Sequence, residues 1–384
     1  MTGHVLYLAA AFESYHPPRL EATRRLLAAQ QKNLTAVSLA SSTADVLKVL
    51  STHSPDVVVI CGWNREEYLL ALRWAGEHRR KVVLVSDSTE HDHFRVRLLE
   101  AWKAVIVRQC DAFFTAGKPQ LRYLSQLGAP PEKIFQGCDV VDNDFFSDQR
   151  PHDSAQGLLQ TLRVGPCPFF ICVSRLIRRK NIARLLDAYS IYSRTTSNPW
   201  GLVIVGGGPE RNALEERAKQ LCAKGVRFAG RRSPDELAML YGASRCLVHP
   251  ARMDTWGLVV NEAMASGLPV LVSNETGCRE DLVENGINGW SFDSESIQGI
   301  AEVMAQMHAL APEKRQAMGS QSKVIIDRWT LETHAHGLSN AIEASQQKIS
   351  ADTRGAPPSA LWWHFSLMMV RARRQINTIH PSQD

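Results

Sequence analysis

Two carboxylates, Asp254 and Glu262, stand eight positions apart around a Trp256-Gly257 pair. The run that holds them, HPARMDTWGLVVNEAMASGLPVLVS over residues 249–273, reads as strand end, polar loop, helix and strand. Cys246, Leu247 and Val248 supply the strand, and Leu258, Val259, Ala263 and Met264 keep a 3.6-residue apolar period. Gly267 and Pro269 stop the helix before Val270-Leu271-Val272, the next buried strand. Eight residues of continuous helix rise about 12 Å, the scale on which two acids grip opposite ends of an extended ligand. The helix N-terminus between them offers unpaired backbone N–H groups, a seat for a phosphate. Carboxylate, amides and carboxylate along one cleft are what a nucleotide-sugar needs. The same spacing also suits a plain βαβ unit with a capping Asp and a solvated Glu.

Three further constellations carry chemistry. Arg175, Arg178, Arg179 and Lys180 follow the apolar strand 169–174 and precede a helix opening at Asn181. Four cations in a strand-to-helix loop suit a diphosphate; a charge run elsewhere is usually a solvated face. Gly206-Gly207-Gly208-Pro209-Glu210 follows the strand 202–205, where glycines allow a tight turn and backbone contact with a ligand. In the first half, Ser86-Asp87-Ser88-Thr89-Glu90-His91-Asp92-His93 leaves a strand as the densest polar cluster. Asp87 or Ser88 capping a helix that starts near Phe94, with the rest facing water, is one reading; a functional cluster at the sheet's carboxyl edge is the other, and the density of polar groups favours it. His16 and Arg19 lie in the first strand-to-helix loop and are candidates for acceptor contacts.

These groups are carried on alternating strand and helix signals: strands at 5–8, 56–60, 81–85 and 112–115, helices at 65–78 and 119–127. That rhythm means parallel sheets covered on both faces. With 384 residues the chain has room for two cores. A hydrophobic share of 44%, a charged share of 22% and a formal charge of +5 describe a globular protein without a nucleic-acid signature. Eight scattered Cys, with no C-x-x-C pair, fit reduced thiols in a cytoplasmic compartment. No apolar run reaches membrane-span length, and residues 5–12 lack the basic flank of a signal peptide.

The 254–262 stretch resembles the acidic E-x7-E motif of the family 4 retaining glycosyltransferases, with Asp254 in place of the usual first Glu. The resemblance gives Glu262 the donor ribose hydroxyls and Asp254 the donor sugar's hydroxyls. The Ser-Arg-Leu-x3-Lys-Asn spacing is similar to the family's phosphate loop, which assigns the diphosphate to Arg175 and Lys180, with Gly257 and Leu258 at the helix end. The triglycine stands where the family shows GxGP. Gly206, Gly207, Gly208 and Phe228 then fall to the nucleotide, whose base would lie against the backbone of 226–230. Residues 138–145 resemble a crossover motif of one branch of the family. Ser86 to Asp92 resembles that branch's S-D-S-T-x-x-D pattern, which puts Asp87 and His91 beside the reacting sugar.

The resemblance covers nearly all of residues 1–345 and implies a GT-B architecture: α/β, two doubly wound Rossmann-like domains facing across a cleft. The expected division is an acceptor domain at 1–150, a linker at 151–167, a nucleotide-sugar domain at 168–329, a helix crossing back at 330–350 and a tail at 351–384. The implied activity is hexosyl transfer, with retention, from a nucleotide-diphosphate sugar to a glycan, lipid-linked or small-molecule acceptor. It needs no metal and no cofactor. A nucleotide-sugar 2-epimerase of the same fold, or a non-catalytic nucleotide-sugar-binding partner, is the alternative. In the tail, Leu361, Trp362, Phe365, Met368, Met369 and Ala372 share a helical face, with Arg371, Arg373 and Arg374 beside them in the sequence. That face suits an anionic inner membrane surface; docking onto the first domain or a dimer contact is the other reading.

Overall fold

The computed structural model describes residues 3–10, 15–39, 43–92, 96–147, 152–165, 167–347 and 358–379. His93, the helix start near Phe94, the linker prolines Pro151 and Pro166, and Arg354 of the tail lie outside the described residues. The chain forms two units, Met1–Val141 with Trp329–Pro381, and Asp142–Arg328.

In unit 1 the strands β1 (Gly3–Ala9), β2 (Lys32–Ser38), β3 (Val57–Cys61), β4 (Lys81–Ser86), β5 (Ala112–Thr115) and β6 (Ile134–Gln136) alternate with helices. These are α1 (His16–Ala29), α2 (Thr43–His53), α3 (Glu66–Glu77), α4 (Arg97–Val107) and α5 (Lys118–Gln126). The sheet is parallel in the order β2-β1-β3-β4-β5-β6. β3 (VVVIC) and β5 (AFFT) are almost continuously apolar because helices cover both faces. β2 (KNLTAVS) pairs only with β1 at the sheet edge and keeps a mixed, half-exposed pattern. Pro17 and Pro18 sit in the first turn of α1, where the missing N–H costs nothing.

Unit 2 opens with α6 (Asn143–Ser147) and α7 (His152–Thr161), then runs β7 (Phe169–Val173), α8 (Ile182–Thr195), β8 (Gly201–Val205), α9 (Arg211–Gln220), β9 (Val226–Gly230) and α10 (Pro234–Ala243). It continues through β10 (Cys246–His249), α11 (Leu258–Ala265), β11 (Val270–Ser273), α12 (Arg279–Leu282), β12 (Gly289–Phe292), α13 (Ile297–Ala309) and α14 (Pro312–Ile326). The parallel order is β12-β11-β10-β7-β8-β9, so the winding reverses between β7 and β10. Where polar composition predicts a linker, α7 packs on α10 and buries Ala155, because Ala155, Leu158 and Leu159 recur at helical spacing.

The last two helices, α15 (Leu331–Gln346) and α16 (Ala360–Ile379), belong to unit 1. α15 lies on α1, β4, β5 and β6. α16 packs on α3 through the side that carries Trp363, off the apolar face that the sequence pattern sets toward a membrane. Trp363, Ser366 and Val370 are buried, while Leu361, Phe365 and Met368 are 78%, 51% and 49% exposed. Two polar contacts fix this rotation: Trp102 Nε1 donates to Ser366 Oγ at 2.9 Å, and the Arg371 guanidinium donates to the Glu66 carboxylate.

Candidate active site

β7 and β10 are neighbours, Cys246 opposite Phe170 and Leu247 opposite Ile171, so the loops leaving their carboxyl ends open side by side. A reversal of winding is where ligands sit in doubly wound sheets. The β7 loop closes in a 3-10 turn, Arg178–Lys180, followed by Asn181 in the left-handed region at φ 62°. Asn tolerates that conformation, and its buried Nδ2 donates to Pro250 O at 3.0 Å and Ser294 O at 2.8 Å. The turn is thereby tied to the β10 loop.

Lys180 Nζ donates to Asp254 Oδ2 at 2.5 Å, and His249 Nε2 lies 2.8 Å from the same oxygen. His249 ends β10 and is buried, with its side chain 2% exposed; Lys180 is 11% and Asp254 16% exposed. Burial alone would raise the Asp254 pKa. The His249 bond and the Lys180 charge outweigh it and hold the carboxyl well below the usual range. Asp254 is also fixed by its backbone, whose carbonyl accepts from Gly277 N–H at 2.9 Å and which bridges Thr276.

Gly257, the N-cap of α11, has φ 100°. A Cβ there would come within 2.9 Å of Thr276 and 3.6 Å of both Asp254 Oδ2 and His249 Nε2, so only glycine fits between them. α11 starts at Leu258, so Asp254 precedes the helix and Glu262 lies within it, as the sequence pattern predicts. Asp254 lies on the loop, and Glu262 is buried a turn into the helix, where Tyr241 Oη donates to its Oε2 at 2.7 Å. Trp256 Nε1 donates to Asn261 Oδ1 at 3.0 Å and pins the helix start.

The triglycine serves chain packing. A Cβ on Gly206 would meet Ser174 O at 1.8 Å and one on Gly208 would meet Leu176 O at 2.3 Å. Leu176 N–H donates to Gly207 O, and Glu210 N–H to Leu176 O. The β8 turn therefore packs directly against the β7 loop. Arg175 is exposed on that loop, and Phe228 is half-buried against the unit 2 core.

In unit 1, Asp87 and His91 are exposed beyond β4. The loop carrying them is locked by Asp92, whose carboxylate accepts from Thr89 N–H at 2.6 Å and Thr89 Oγ1 at 2.5 Å. Burial raises the Asp92 pKa to about 6, against the two Thr89 bonds. His16 is half-buried at the head of α1. Arg19, read from the sequence as an acceptor contact, is a structural strap. It is buried, and its Nε and Nη2 donate to Val140 O at 2.9 and 2.6 Å while Nη1 pairs with Asp139 at 3.3 Å. His249 and Tyr241 are the groups that the motif reading misses. A fully buried strand that ends in His at the sheet's carboxyl edge was the available signal for the first.

Residues 160–324 match the family model described as glycosyl transferases group 1. The match covers less than half of the chain. The matched segment holds Lys180, His249, Asp254, Gly257 and Glu262; Asp87, His91 and His16 lie in unit 1. Over 237 residues, 59% of this chain and 60% of the relative, the chain is 32% identical to the GDP-mannose-dependent alpha-(1-6)-phosphatidylinositol monomannoside mannosyltransferase of Mycobacterium tuberculosis. It is 32% identical to a D-inositol 3-phosphate glycosyltransferase of Corynebacterium urealyticum over 43% of this chain and 40% of the relative. The chain thus spans less than two thirds of the curated relatives' length. Among solved structures, Anabaena Alr3699/HepE in complex with UDP and glucose is 19% identical, with a TM-score of 0.71 over 89% of this chain and 99% of that one. A glycosyltransferase from Rickettsia africae is 14% identical, with a TM-score of 0.72 over 90% and 100%. At such identities the likeness is one of fold, and the fold is GT-B, with two doubly wound α/β units.

Proposed function

We propose that the chain transfers a hexosyl group, with retention, from a nucleotide-diphosphate sugar to a hydroxyl of a glycan, lipid-linked or small-molecule acceptor. The observation that carries this reading is the Lys180–Asp254–His249 cluster at the reversal of the unit 2 sheet, beside the α11 N-terminus. Lys180 and Arg175 neutralise the diphosphate as it leaves, and the amides at Gly257 and Leu258 solvate it, so charge develops against preset dipoles. Glu262, held by Tyr241, takes the ribose hydroxyls, and Asp254 the donor sugar. Gly206, Gly207, Gly208 and Phe228 lie on the nucleotide side. In front-face transfer the leaving phosphate accepts the acceptor's proton. What remains for Asp87 is to stabilise positive charge on the sugar, and for His91 and His16 to orient the acceptor.

We place this reaction in the cytoplasm, in keeping with eight free thiols, with α16 as a peripheral contact at the inner membrane face. The exposed Leu361, Phe365 and Met368 support that contact, as does a relative whose name carries a phosphatidylinositol acceptor. The curated relatives named above are transferases, and no observation favours the epimerase.

A panel of UDP- and GDP-sugars tests the proposal, with thermal shift first and transfer to mannosides or inositol phosphates second. Binding of one donor with transfer and retained anomeric configuration by NMR is expected. Lys180→Ala should weaken the matching nucleoside diphosphate by about 1.5–3 kcal/mol. Inverted product, or no binding by any member of the panel, would refute it.

A further inference from the structure

His249 is the one member of the donor cluster that no motif explains. It is buried at the end of β10, its Nε2 meets Asp254 Oδ2 at 2.8 Å, and its Nδ1 is buried with no hydrogen-bond partner among the described residues. A buried imidazole with one unpaired nitrogen is retained only at a cost to stability, so its single bond has to matter. Lys180 approaches the same oxygen, Oδ2, at 2.5 Å. One carboxylate oxygen therefore carries two donors, one on a loop side chain with rotatable bonds and one on a rigid buried ring.

The two donors differ in what a ligand does to them. On the reading of the site given above, on which this inference rests, the diphosphate of the donor draws Lys180 toward itself. Asp254 then loses a cation in a setting where an unpaired carboxylate is costly. His249 cannot follow Lys180: it is held in the strand with 2% of its side chain exposed. Its bond is the one that stays.

We propose that His249 is a positioning residue that keeps Asp254 ionised and in place when Lys180 moves to the donor diphosphate. Lys180 thus rests on Asp254 before the donor arrives, and His249 lowers the cost of its departure. Asp254 remains aimed at the donor sugar with a fixed partner. No proton or covalent bond changes hands in this exchange.

The test is a double-mutant cycle on the full chain, read by calorimetric titration of UDP and of GDP, using whichever one the wild type binds. His249→Phe removes the donor at similar volume and should weaken nucleoside diphosphate binding at least about 10-fold. His249→Gln, whose amide reaches the Nε2 position, should stay within about threefold of wild type. In an Asp254→Asn background no carboxylate needs support, so adding His249→Phe should change affinity by less than about threefold. Where His249→Phe does not fold, His249→Asn, whose amide is too short, replaces it. Equal losses in both backgrounds would make His249 a packing residue and overturn the proposal, as would a Gln variant as weak as Phe. A wild type that binds neither diphosphate would instead remove the donor-site reading itself, and this inference with it.

Discussion

Two buried titratable side chains of unit 1 oppose each other across the acid range. His334, on α15, is buried with Nδ1 on Cys138 O at 3.1 Å, and burial pulls its pKa down to about 3. The unfolded chain takes up that proton near pH 6.5, so His334 makes stability fall as pH drops from about 6.5 toward 3. Asp92 is raised by burial to about 6, so its folded form holds a proton that the unfolded chain releases near 3.9, and stability falls as pH rises over that span. Each slope is at most about 1.4 kcal/mol per pH unit, and between pH 4 and 6 they cancel. Relative to wild type, Asp92→Asn should therefore gain stability with rising pH in this window, and His334→Gln should lose it. Urea unfolding at pH 4.5 and 6.0 measures both, and parallel shifts would refute the assignment. Neither residue is legible as such in the sequence, because burial decides their behaviour and burial is a property of the fold. The start of α11, with Asp254 before it and Glu262 within it, was legible because that spacing follows local chain geometry. Arg19 shows the converse: a cation at a promising loop position serves Val140, more than a hundred residues away in the chain.

At the scale of elements, apolar period identifies what is covered and misses what is decided by partners. β3, β5, β7, β10 and β11 announce themselves as unbroken apolar runs. β2 does not, since an edge strand with Lys32, Asn33, Thr35 and Ser38 carries no such run. α16 illustrates the same limit differently. Its apolar residues cover most of its circumference, so the pattern alone does not fix which side docks, and the Ser366 and Arg371 contacts do. Its two faces should separate in experiment. Trp363→Ala empties a buried site and should cost about 3–5 kcal/mol. Replacing Leu361, Phe365 and Met368 together with Ser should leave the melting temperature within a few degrees yet abolish flotation with anionic vesicles. Unchanged flotation of the triple variant would end the membrane reading of this helix while leaving the docking intact.

For the whole molecule, the order of units along the chain has a thermodynamic consequence. Every donor-side group named above lies within Asp142–Arg328, whose opening helix is fastened inside that unit by Ser266 Oγ on Phe146 O and by the Phe146–Tyr241 ring contact. Unit 1 is not continuous in the same way. Its sheet is closed by α15, which buries Ala335, Leu338, Ala341 and Ile342. Burying Leu338 and Ile342 alone contributes about 3–6 kcal/mol, a large part of the about 5–15 kcal/mol that holds a domain folded. A fragment of residues 142–328 should therefore fold cooperatively and bind the matching nucleoside diphosphate within about tenfold of the full chain, without transferring sugar. Residues 1–141 alone should lack a cooperative transition and regain one when 329–384 is joined through a flexible linker. Calorimetry on the three fragments checks this. A cooperatively folded 1–141 would mean that α15 adds nothing essential to unit 1, and a 142–328 fragment that folds but ignores the diphosphate would mean that the donor site needs groups outside it.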